Sequence, residues 1–195
     1  MEDMSGFDFV TLIFAIPMGL AIVEIAQGLS LSLRRRKDVR LGWLTPMLAI
    51  FLILNTAALL EIYWEWRSEI LVSSPILVSV LLLSILYYVA ASFVFPHDLA
   101  KGDDLDDWFM ENRRYSLGVT FLIFALYTFG QLLFEVEETL LGQVIRTIVT
   151  LVFLSLFLVP LVVAIRSRRK RTALIAICVL NAFWIALLVA YTLFA

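Results

Sequence analysis

The chain has 195 residues, 62% of them hydrophobic, with a mean hydropathy of +0.96 and a formal net charge of −2. Apolar runs consume so much of that length that no separate soluble domain fits beside them. One cysteine, Cys178, excludes an internal disulfide or a cysteine metal cluster, and one histidine, His97, excludes a bis-histidine haem within the chain, so no cofactor is expected.

Six apolar runs follow one another at about 7–33, 43–64, 75–95, 115–134, 141–165 and 172–194. Each meets the roughly 20 helical residues that a hydrocarbon core requires. The fold class is therefore all-α: one domain over 1–195, a bundle of six transmembrane helices with short loops. The first run carries Pro17, Glu24, Gln27 and Gly28 and ends in Arg34-Arg35-Arg36-Lys37. It is too long for a signal-peptide core and has no basic segment before it, so it reads as a retained span. The second opens at Trp43, carries Asn55, Thr56 and Glu61, and closes at Tyr63-Trp64. The third holds Ser84 and Tyr87-Tyr88.

The longest polar connection, Pro96–Arg114, contains Gly102 followed by Asp103-Asp104-Leu105-Asp106-Asp107-Trp108-Phe109. That pattern predicts a turn and then a short interfacial helix over about 103–113, with acids crowding its first turn as the helix dipole favours. Leu105, Trp108 and Phe109 would dip into the headgroup region. The fourth and fifth runs carry Gln131 and Arg146 on either side of Glu135, and the sixth carries Asn181. The spans pair into three out–in–out hairpins, first with second, third with fourth and fifth with sixth, joined to one another by the short outer turns 65–74 and 135–140.

Thirteen of the fifteen lysines and arginines fall in alternate connections: Arg34 to Arg40, Lys101 with Arg113-Arg114, and Arg166 to Arg171. The positive-inside rule makes these cytoplasmic and puts both termini outside, in the cell inner membrane. The basic residues flank membrane spans, so the lipid bilayer is the expected partner and nucleic acid is not. The opening Phe7-Asp8, the Gly-containing polar first helix ending in Arg-Arg-Arg, and the Trp after that turn resemble a set of small bacterial multi-pass inner-membrane proteins. That resemblance implies a multi-span inner-membrane protein and carries no activity with it.

Glu24 is the outstanding side chain. It lies ten positions before Arg34, about 15 Å up a helix and so near the bilayer midplane, where a carboxylate needs a partner, a proton or water. Pro17, Ala21, Glu24 and Gly28 share a stripe with Gln27 beside it, and Asn181, ten residues after Arg171, is the expected partner at matching depth. Glu24, Gln27, Asn181 and Asn55 thus form a candidate polar seam. A second candidate lies nearer the outside, where Arg146 would pair with Glu61 or Glu135. Three functional readings follow. The first is conduction or sensing of an ion or small solute through the seam. The second is a non-catalytic accessory subunit, alone in copy or paired with itself, within a larger membrane complex. The third is a Mg²⁺-dependent membrane enzyme that would use the Asp103–Asp107 cluster, although helix capping explains those carboxylates equally well.

Overall fold

The computed structural model describes residues 6–65, 74–134 and 140–194. Six helices occupy the six apolar runs: α1 (Gly6–Arg34), α2 (Leu44–Glu65), α3 (Ser74–Ser92), α4 (Leu105–Phe134), α5 (Leu140–Arg166) and α6 (Lys170–Phe194). No strand occurs among the described residues. A helix satisfies its own backbone hydrogen bonds, which an apolar chain in lipid must do. The same reason lets Pro17 sit inside α1 and Pro160 inside α5. Among the described residues α1, α2, α5 and α6 contain segments long and apolar enough to cross a bilayer, and α3 contributes the apolar stretch Leu77–Ser92.

Around the bundle the contacts run α1 to α3, α3 to α4, α4 to α5, α5 to α6 and α6 to α2, with α2 also reaching α4 and α1 more sparsely. Two of the three expected hairpins pack as neighbours, while α1 and α2 barely touch. The cause is visible at Gly28: the ring of Phe95, just beyond α3, occupies the space a Cβ would need, so the small-residue stripe of α1 is taken by α3. With α1 so occupied, α2 packs its buried face on α6.

Helix α4 starts ten residues before the fourth apolar run and is continuous for 30 residues, about 45 Å. The short helix of the connection is therefore the first turns of α4. Leu105 and Phe109 are buried within the protein instead of reaching headgroups, because α2 packs over them. The Thr45 hydroxyl donates to the Leu105 carbonyl at 2.7 Å. The interior between α2, α4, α5 and α6 is filled by aromatic rings. Phe124 and Phe157 stack at 3.9 Å between centroids, with Phe51 and Trp184 about them at 6.1 and 6.0 Å from Phe157.

Candidate functional site

The three basic connections gather at one end of the bundle, and the aspartate cluster holds them together. Backbone pairing joins the first to the second: Arg40 N–H donates to Asp103 O at 2.8 Å, Leu105 N–H to Arg40 O at 3.0 Å and Gly102 N–H to Asp38 O at 2.8 Å. Each aspartate then has its own task. Asp103 accepts from the Ala100 N–H at 2.7 Å and closes the loop. Asp104 is the N-cap of α4, accepting from Asp106 N–H at 2.8 Å. Asp106 accepts from Leu44 N–H at 2.8 Å and so caps α2 from 62 residues away. Asp107 pairs with Lys170 at the start of α6 at 2.7 Å, with Asp104 at 3.6 Å from the same ammonium. That hydrogen bond to Asp107 raises the Lys170 pKa above the ordinary lysine value.

Arg113 completes the brace. Its Nε donates to Ile165 O at 3.2 Å and its Nη2 to Ser167 O at 2.6 Å, satisfying carbonyls at the C-terminal end of α5, while Nη1 turns back to Met110 O. Burial, with Arg114 adding repulsion, lowers its pKa from the usual arginine value. Beside the brace Asp98, Asp103, Asp104, Asp107 and Glu111 line a hollow of about 330 Å³ with Pro96 and Trp108. Among the described residues no three carboxylate, histidine or cysteine side chains come together as metal ligands, there or elsewhere.

Glu24 and Asn181 have separate partners. Glu24 Oε1 lies 3.9 Å from His97 Nδ1; the Glu24 side chain is 28% exposed and the His97 side chain 82%. Glu24 thus meets the connection after α3, whose Phe95 packs beside Gly28, one turn further along α1. Gln27 stands exposed on the outer surface of α1. Asn181 Nδ2 donates to Met47 O and Ile177 O, each at 3.0 Å, tying α6 to the first turn of α2. Asn55 is fully buried on α2, with neither amide atom hydrogen-bonded. Of the outer pair, Glu61 is half-buried in the last turns of α2. Glu135 and the Arg146 side chain lie outside the described residues.

Sequence spacing named the aspartates as a helix start, but it missed Asp106 as a remote cap and Arg113 as the α5 clasp. A cap supplied from 62 residues away leaves no local pattern. Gly42 was the available signal: its φ of +59° and the Asp106 carboxylate pressed against it both require glycine. No protein-family model matches the chain, and neither the curated proteins nor the solved structures contain a match.

Proposed function

We propose that the chain is an inner-membrane protein crossing six times, with both termini opposite the basic end, and that it acts as a non-catalytic accessory subunit. The gathering of three basic connections at one end supports that orientation. The observation that carries the accessory role is the outward-facing polar half of α1. Gln27 and Ser30 are exposed there, with Ala26 beside them, and a shallow groove runs from Val23 to Arg34 along the same face. An amide facing hydrocarbon is costly, and small residues let another helix approach closely enough to satisfy it. The occupant is a helix of another membrane protein or of a second copy.

A photocrosslinking residue at Ser30 should yield one discrete protein adduct in native membranes, whose mass separates a partner from a second copy. The same probe at Val152, exposed on α5, should yield none. Equal labelling at both positions, or solute or proton flux through liposomes holding this chain alone, would count against the accessory role. A sensing role has its own support in the Glu24–His97 contact, which sets the one carboxylate in the middle of α1 against the connection after α3. On that reading Glu24→Gln abolishes a ligand- or ion-dependent fluorescence change that the parent shows, with the fold intact.

A further inference from the structure

We propose that the turn between α5 and α6 is a binding site for an anionic phospholipid of the inner leaflet, its headgroup held by Arg166, Arg168, Arg169 and Arg171. All four arginines are exposed, and none has a carboxylate within ion-pair distance among the described residues. The chain has no Asp or Glu after Glu138, so α5 and α6 bring no counter-charge of their own. The acids that α4 brings to the start of α6, Asp104 and Asp107, face Lys170, at 3.6 and 2.7 Å, and make no ion pair with the four arginines. The α1–α2 turn differs: Asp38 lies inside it, Arg35 donates to the Leu99 carbonyl, and the acidic loop is bonded alongside. Charge complementarity at the α5–α6 turn must come from outside the chain.

The surfaces leading away from these arginines fit the rest of the molecule. Val159 and Val163 continue the stripe of Arg166 along α5, and Ile175 and Val179 continue that of Arg171 along α6, all four apolar side chains exposed. A ligand that meets this arrangement has a negative head and apolar tails. Free phosphate would use only the arginines. The inference rests on the proposed insertion with the basic end at the inner surface, which side-specific labelling tests separately.

The test is native mass spectrometry of the full chain in detergent with phosphatidylglycerol or phosphatidylcholine. The parent should retain phosphatidylglycerol in clear preference, and excess glycerol phosphate should not displace it. Converting the four arginines to glutamine should weaken that retention at least roughly fivefold, the effect of even one basic residue near an anionic surface. Converting all four to lysine should keep it, and helicity by circular dichroism verifies that each variant is folded. Converting Arg34, Arg36 and Lys37 to glutamine should weaken retention less. Equal retention of the two lipids, displacement by glycerol phosphate, or an equal loss from the α1–α2 variant would each overturn the proposal.

Discussion

Asn55 carries the sharpest consequence of any single side chain. Its amide is enclosed on α2 with neither atom hydrogen-bonded, and an unpaired buried polar group costs about 1–3 kcal/mol. Asn55→Val, closer in size to the amide and without polar atoms, removes the penalty, so thermal unfolding in detergent should show equal or higher stability, by up to about 2 kcal/mol. A marked loss would mean that the amide is engaged. Gly42 works in the opposite direction. Its left-handed backbone and the Asp106 carboxylate against it both exclude a Cβ, so Gly42→Ala should cost at least about 1–2 kcal/mol in the same measurement. Sequence spacing picked out Asn55 as polar in an apolar run but could not say whether the amide would find a partner. That depends on which helix faces it, which the period of one helix does not contain.

At the scale of elements, the six helices were legible because composition and run length decide helicity in an apolar chain. Their neighbours were less so. Short loops suggested α1 beside α2, whereas the fit of Phe95 against Gly28 gives α1 to α3. The first turns of α4 are the element that joins the rest, capping α2 through Asp106, clasping α5 through Arg113 and meeting α6 through Asp107. Asp106→Ala should cost about 1 kcal/mol, the usual value of a lost N-cap, and Asp106→Asn, which keeps an acceptor, should cost less. Arg113→Gln strands the partly buried carbonyls of Ile165 and Ser167 at the end of α5 and should be the more damaging change, by roughly 2–3 kcal/mol. Comparing the three melting curves checks that order. The Lys170–Asp107 pair is partly exposed and should matter little. Because Lys170 has its pKa raised in the folded protein, its small contribution is complete at neutral pH and fades only as pH climbs past the ordinary lysine value of 10.5.

For the whole molecule the decisive quantity is which end faces the cytoplasm. Charge along the sequence bears on that side, and contacts in three dimensions bear on whether the basic connections share one end: the sequence places basic residues in alternate connections, and the fold brings those same connections together through the Arg40–Asp104 and Lys170–Asp107 pairings. A chain with an uneven number of crossings between two of those connections would have to pull the brace apart across the bilayer. Side-specific labelling tests this directly. In a Cys178→Ser background, Lys37→Cys, Lys101→Cys and Arg168→Cys should react with an impermeant maleimide only after the cells are opened, whereas cysteines at Ser5, Ser68 and Thr139 should react on intact cells. Outside labelling of the first three with the latter silent would invert the orientation while keeping the brace. Labelling of Lys37→Cys and Arg168→Cys from opposite sides would refute the shared end itself, because connections that meet at Asp104 through Arg40 and Lys170 cannot face different compartments.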